Sequence, residues 1–488
     1  MTPEFSNFLM KAYFFILPER LLILACFILF SLSAAWFSGI IHKIFQRLKP
    51  THLLIVIIAF GFLARFLWLG FSPTVFPQKY GLQNEKLNES ALIQIYSAQI
   101  AQNGIPSHAD GSFSTDESVG YSYILGLSYR LFGYHPNGFK YFQIVLGGIL
   151  PLLFYWLSLL IFRDTKTALW TAALTAFYPQ NIMSMSVIVR EIPFFFFSFL
   201  AFGVVIKNRM LDSFRMDLLV AILAGIAASF RTPAIFYPVV FSAFYYFSGS
   251  GLYRSLFSAF TGFIMIMLVN SPWAAVTYHY YGKPCFFTTS GGSALYESLN
   301  DRATWQKAYL PQSIEDGGDP SYINEKNPVE KSAIAGSLAK KWILKNPVKT
   351  FRMALMRIAA LFSFQFGDSL IDLNKKYSSR PDAPIFLKED FLRKISSDAY
   401  SSLFLLALGG MSVIILSRTL FGIHRYPGFA LILLLFGFWT AMGGILSDFI
   451  KYRWFADLIM VFPASFFLVW AETQIKSFFK NPETEDFI

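Results

Sequence analysis

Residues 53–71, LLIVIIAFGFLARFLWLGF, form an apolar stretch interrupted by a single charge, Arg65. Stretches of this kind recur along the chain in blocks of roughly 17 to 25 residues, the length at which a helix crosses the hydrocarbon core of a bilayer. No other feature constrains the fold as strongly. The chain is expected to be an all-α polytopic membrane protein. Composition agrees: 55% of the 488 residues are hydrophobic, 56 are phenylalanine, and only 15% are charged. An ordinary soluble protein has about a quarter charged residues.

The formal net charge of +11 is not a nucleic-acid signature, because lysine and arginine collect on the cytoplasmic loops of membrane proteins and set their orientation. Two cysteines and six scattered histidines offer neither a disulfide framework nor a ligand cluster. No acid cluster has convincing metal-ligand spacing, so neither a metal nor another cofactor is assigned. The first apolar block is too long, and lacks the small-residue cleavage site, for a removable signal peptide.

Reading apolar blocks against basic loops predicts about eleven spans. The first is 20–41, followed by the basic hinge HKIFQRLKP, and the second is 51–71. Residues 72–136 are a polar outer segment. Spans follow at 138–162, 167–187, 192–207, 217–230, 232–249 and 252–272. A second outer segment, 273–398, contains NPVKTFRMALMRIAALFSFQF (346–366), whose apolar face is interrupted by Arg352 and Arg357. It reads as a helix lying in the outer interface. Spans at 399–417, 427–447 and 453–471 complete the bundle, with RTLFGIHR and KSFFK on the cytoplasmic side.

Four regions result. Residues 1–50 are an extra N-terminal span and hinge. Residues 51–272 are a helical module with the first outer loop. Residues 273–398 are the second outer segment, and 399–488 hold the last spans and a cytoplasmic tail. Cytoplasmic connections are short, so chemistry or recognition belongs to the outer face.

Ionisable residues at membrane depth are costly and usually mark function. Arg65, Arg190, Glu191, Arg231 and Arg453, with Lys451 and Tyr452 beside the last, recur at the outer ends of spans. Snorkelling to the headgroups accounts for any one of the arginines. Their common level points instead to a phosphate held at the membrane surface, since the guanidinium fork matches phosphate oxygens. Carboxylates stand on the same side: Glu85 and Glu89 before ALIQIYSAQIAQNG, and Asp110, Asp116 and Glu117 within HADGSFSTDESVGYSY. Most such acids are solvated loop residues. One beside a basic cluster can take the proton from an attacking hydroxyl while the arginines stabilise a departing phosphate. TTSGGSALYESLND (288–301), which contains Asn300, could approach a ligand closely, although a glycine pair usually marks only a turn.

Several segments together resemble the C-type (GT-C) glycosyltransferases, most closely the protein mannosyltransferase and aminoarabinose transferase group. They are YSAQIAQNGI (96–105), ESVGYSYILGLSYRLFG (117–133) with the span after it, ALTAFYPQNIMSMSVIVREIPFFF (173–196), LAGIAASFRTPAIFYP (223–238), SPWAAVTYHYYGKPCFFTTSGGSALYESLN (271–300) and IKYRWFADLIMVFPASFFL (450–468). Their order and spacing carry the resemblance. It implies a GT-C-like helix bundle in the inner (cytoplasmic) membrane, with two structured periplasmic segments. It also implies inverting sugar transfer from a polyprenyl-phosphate donor to a hydroxyl of a lipid, glycan or protein acceptor, in contact with membrane lipids and without nucleic acid. By position, Arg65, Glu191, Arg231 and Arg453 match the family's polar residues, and Arg190, Lys451, Tyr452 and Asn300 join them as candidate substrate ligands. The family's first-loop acidic pair falls at Ile93–Gln94, where no acid stands. Glu89, a helical turn earlier, is therefore the expected base, with Asp116 and Glu117 as alternatives. The other readings are a lipid-linked oligosaccharide polymerase or ligase, and a lipid or sugar transporter. Against a transporter, the chain shows no pseudo-symmetric halves.

Overall fold

The computed structural model describes residues 49–71, 89–106, 113, 119–133, 138–186, 188–362, 389–421, 427–446 and 449–479. The expected first span at 20–41 lies outside the described residues, as do Glu85, Asp110, Asp116 and Glu117. Among the described residues the regular structure is helical, without strands. The chain is a multi-pass membrane protein by the length and hydropathy of its helices. Seven helices satisfy both requirements for crossing a bilayer. They are α1 (Pro50–Phe71), α4 (Gly138–Phe162), α7 (Glu191–Leu211), α10 (Leu252–Tyr281), α15 (Glu389–Phe421), α16 (Pro427–Ile445) and α17 (Phe449–Phe479).

Three further expected spans are shorter helices: α5 (Thr165–Phe177), α8 (Phe214–Phe230) and α9 (Tyr237–Phe247). The expected span 167–187 is thus corrected to a helix that stops at Phe177. Tyr178 takes φ −61° and ψ 119°, because the ring of Pro179 disfavours helical geometry in the residue before it. A five-residue helix, α6 (Pro179–Met183), and a 3-10 turn at Ser184–Ser186 then lead towards α7. The expected span 232–249 likewise begins as a 3-10 turn, Thr232–Phe236, after an extended Arg231. Both breaks occur at the same end of the bundle and free backbone groups for polar side chains there.

Between hydrocarbon-facing helices there is no water to expel, so association rests on close packing. Phenylalanine supplies much of it. Phe154, Phe199, Phe455 and Phe462 interleave α4, α7 and α17, with ring centroids 4.5 Å apart for Phe154–Phe199 and 5.2 Å for Phe199–Phe455. Glycine supplies close approach. A Cβ on Gly410 of α15 would lie 1.9 Å from the Pro463 carbonyl oxygen of α17, so only a residue without one lets these two helices pack as they do.

The polar segments gather at one end. Helices α2 (Glu89–Asn103) and α3 (Val119–Phe132) pair with each other and α3 packs on α8. In the second segment α11 (Ser290–Ser298), a short α12 (Pro320–Ile323), α13 (Pro328–Lys345) and α14 (Pro347–Leu361) follow in order. Phe113 of the first segment stacks on Tyr280 and touches Trp273 and Tyr281 of α10, so this helix end receives both segments. We call this the loop end.

The interfacial helix expected at 346–366 is α14, and its two arginines differ. Arg352 is exposed, whereas Arg357 is buried and does not reach outward. Its guanidinium donates to the carbonyls of Ile445 at 2.8 Å, Ser298 at 2.8 Å and Thr304 at 3.1 Å. One side chain thereby joins α14, the end of α16 and the second segment.

Candidate functional site

At the loop end, four groups of polar side chains enter the bundle. The first is centred on Asp457 of α17, which is fully buried. The Tyr178 hydroxyl, released from helix by the break before Pro179, donates to Asp457 Oδ2 at 2.6 Å. Arg453 stands one helical turn earlier, with Nε 4.0 Å from Asp457 Oδ1. Its guanidinium lies over the Tyr400 ring of α15, 3.5 Å from the centroid, a cation–π contact that desolvation strengthens. Next to it, the Trp454 indole donates to Asn181 Oδ1 at 2.9 Å.

The second group is Gln143 of α4. Its Oε1 accepts from the Tyr121 hydroxyl at 2.7 Å and from the Val189 backbone at 3.3 Å, and its Nε2 donates to the Ser184 carbonyl at 3.0 Å. Gln143 therefore fixes the first segment and the irregular turn before α7 to one span. The third is an ion pair between Arg231 and Glu191, both largely buried. Arg190, half-buried, precedes Glu191 as the N-cap residue of α7.

The fourth is Arg65, fully buried in α1. Its Nη1 donates to the Gly61 carbonyl at 2.8 Å and the Ala176 carbonyl at 3.0 Å. Nε and Nη2 have no hydrogen-bond partner among the described residues. Gly147 of α4 and Gly61 leave room for this side chain: a Cβ on either would come within 3.4 Å of it.

The sequence suggests an open ring of arginines, and the structure shows a different division of labour. Arg231 is neutralised by Glu191, and Arg453 is engaged by Asp457 and Tyr400. A lone buried charge is costly, and a carboxylate on a neighbouring turn relieves it. Arg65 alone of the three has no carboxylate partner among the ion pairs of the described residues, so it is the side chain best prepared to meet an anion.

The other candidates are distributed as follows. Glu89 opens α2, and Lys451 lies in the first turn of α17. Asp116 and Glu117 lie outside the described residues. Tyr452 is buried against Trp439, with ring centroids 5.7 Å apart. Asn300 organises a turn: Nδ2 donates to the Tyr296 and Tyr309 carbonyls, and Oδ1 accepts from the Arg302 and Ala303 amides at 2.9 Å. All four hydrogen-bonding positions of its amide are used inside the segment. That geometry suits a scaffold role rather than contact with substrate.

Asp457, Tyr178, Tyr400 and Gln143 are not among the candidates read from the sequence. Asp457 had a signal, an acid four residues after an arginine within an apolar helix. The others had none, since a tyrosine or glutamine in a span gains meaning only from what it faces.

Within the second segment a cavity of about 460 Å³ is lined by Cys285, Thr289, Gly292, Ser332, Ser337 and Lys340. The TTSGGS loop forms one wall, with the Gly292 amide donating to Ser332 Oγ at 3.1 Å. Burial pushes the Cys285 thiol up from its ordinary value. Elsewhere in the segment, the Tyr309 hydroxyl holds the Asp316 carboxyl below the usual range. Burial pulls the Arg357 guanidinium down to about 10, which leaves it charged at neutral pH. No group of three or more potential metal ligands occurs among the described residues.

No family model and no curated protein matches the sequence. Solved structures do match in shape. Two are of the Archaeoglobus fulgidus oligosaccharyltransferase, one of them archaeal AglB with an inhibitory peptide and a dolichol-phosphate, the other tethered by a disulfide to an acceptor peptide containing the NVT sequon. Each superposes with a TM-score of 0.50 at 14% identity over 89% of this chain. The chain has the C-type glycosyltransferase fold. It spans about half the length of these structures, 51% of each. In this C-type bundle Arg65, Glu191, Arg231, Arg453, Asp457 and both polar segments belong to the loop end, whereas the buried Asp217 pairs with Arg254 at the opposite end of α8.

Proposed function

We propose that this chain is an inverting membrane glycosyltransferase that moves a sugar from a polyprenyl-phosphate donor to a hydroxyl acceptor. The observation that carries the proposal is Arg65, a fully buried guanidinium with two donor nitrogens unpartnered among the described residues. It stands at the loop end of a fold shared with an oligosaccharyltransferase solved with dolichol-phosphate. The donor's phosphate would meet Arg65 there. Arg231 and Arg453, held by Glu191 and Asp457, would shape the electrostatic field at the loop end rather than grip the phosphate by themselves.

In the reaction, a carboxylate takes the proton from the acceptor hydroxyl. The oxygen attacks the anomeric carbon, the carbon–oxygen bond to phosphate breaks, and polyprenyl phosphate leaves with the bonding pair. The configuration at carbon inverts. A phosphate leaving group needs no proton, so one base suffices. Glu89, opening α2, is the proposed base, with Asp116 and Glu117 as alternatives. The loop end is assigned to the outer face of the cytoplasmic membrane on the strength of the basic short turns at the other end.

Mass spectrometry of cell-envelope glycolipids with and without an intact gene tests the activity. Loss of one sugar-bearing species identifies donor and acceptor together. An unchanged envelope profile counts against the reading. In purified protein, Glu89→Gln should abolish transfer while leaving the protein folded, and wild-type turnover in that variant moves the base elsewhere. A second reading, transfer of a whole lipid-linked oligosaccharide, is favoured by the oligosaccharyltransferase likeness. Product mass separates the two, since one adds a single sugar and the other a chain.

A further inference from the structure

Between Lys331 and Leu361 the sequence carries seven lysines and arginines and no acid. This run belongs to the second polar segment, at the loop end. Long translocated segments escape the charge bias that orients spans, so membrane topology gives no reason for so one-sided a composition.

The run folds as α13 and α14, and their inward faces are occupied. Ala335, Ala339 and Trp342 are buried within the segment, and Met353, Met356, Arg357 and Ala360 are buried along α14, which packs on α16 and α17. The opposite face of α14 is apolar yet uncovered: Val348, Phe351 and Leu355 are 80%, 66% and 47% exposed. Spacings of three and four residues put them on one side of the helix. Leu344, just before the junction with α13, is 82% exposed. Lys345, Lys349 and Arg352 are exposed beside this apolar face.

The level of the helix is also defined. Ala354 and Ile358 pack at Gly444, and Leu361 packs at Gly443, the last turn of span α16. Arg357 binds the carbonyl of Ile445, where that span ends. The C-terminal half of α14 therefore lies at the level where span α16 ends, and the exposed apolar residues stand within two turns of that level. A cationic rim at this depth faces lipid phosphates.

We propose that α14 and the adjoining end of α13 form a docking surface for anionic phospholipid. Val348, Phe351 and Leu355 enter the acyl boundary, and Lys345, Lys349 and Arg352 hold the headgroup phosphates. This surface requires only that the bundle lie in a membrane and stands apart from the transfer reaction.

The test uses the full chain with Cys26→Ser and Cys285→Ser, a Val348→Cys fluorophore, and nanodiscs of equal phosphatidylcholine and phosphatidylglycerol. Either lipid carries an acyl-chain quencher in separate samples. Quenching should be severalfold stronger from phosphatidylglycerol than from phosphatidylcholine. Lys345→Glu with Arg352→Glu should equalise the two, and the milder Lys345→Gln with Arg352→Gln should fall between while still eluting as a single folded species. Equal quenching in the parent, or a preference that survives both substitutions, overturns the headgroup assignment. A fluorophore quenched by neither lipid overturns membrane docking and leaves the face to a second copy or another protein. None of these outcomes depends on catalysis.

Discussion

The ion pair of Arg453 and Asp457 illustrates how a buried charge constrains its surroundings. Truncating one partner strands the other, so Asp457→Ala should destabilise the bundle by about 3–5 kcal/mol. Replacing both by apolar residues of similar size should recover most of that loss, because a buried pair returns little beyond its own desolvation. Thermal unfolding in detergent compares the three proteins. If the double substitution restores stability but not transfer, the pair serves function rather than folding. Arg65 predicts a different pattern. Its partners are two backbone carbonyls, and its remaining donors would be spent on the donor's phosphate. Arg65→Gln should raise the donor KM on the order of 10- to 100-fold, the loss of one or two charge-assisted hydrogen bonds. A lowered kcat with unchanged donor KM would assign Arg65 to something other than ground-state phosphate binding.

At the scale of elements, the helices that lie between lipid and core are specified by what they omit. Gly410 is the clearest case, since α15 passes α17 with no room for a side chain. Gly410→Val should cost about 1–3 kcal/mol by overpacking and separate the two helices. Crosslinking between cysteines placed along α15 and α17 should then fall. The Tyr178–Pro179 break is the opposite device. It stops α5 early and turns a tyrosine hydroxyl and the Asn181 amide inward, where α17 presents Asp457 and Trp454.

For the whole molecule, Arg357 ties the second polar segment to the membrane bundle, because one guanidinium serves carbonyls from three places in the chain. Arg357→Ala should cost on the order of 3 kcal/mol through its lost charge-assisted bonds. The segment 290–345 should become more sensitive to protease before the spans unfold, whereas simultaneous loss of both would mean that the two parts form one cooperative unit.

What the sequence determined by itself was the class of molecule: helix, membrane and the polar segments on which chemistry would fall. Those properties depend on the length and hydropathy of consecutive residues, and chain order records them directly. It also marked Arg65, Arg231 and Arg453, because a cation in an apolar run stands out wherever it folds. Only the tertiary structure decided which of these charges is already answered. Glu191 lies 40 positions from Arg231 in the chain, and Tyr178 lies 279 positions from Asp457. Pairings of that range are set by how helices cross, through glycine gaps, proline breaks and stacked rings, and the linear order of residues carries no measure of that distance.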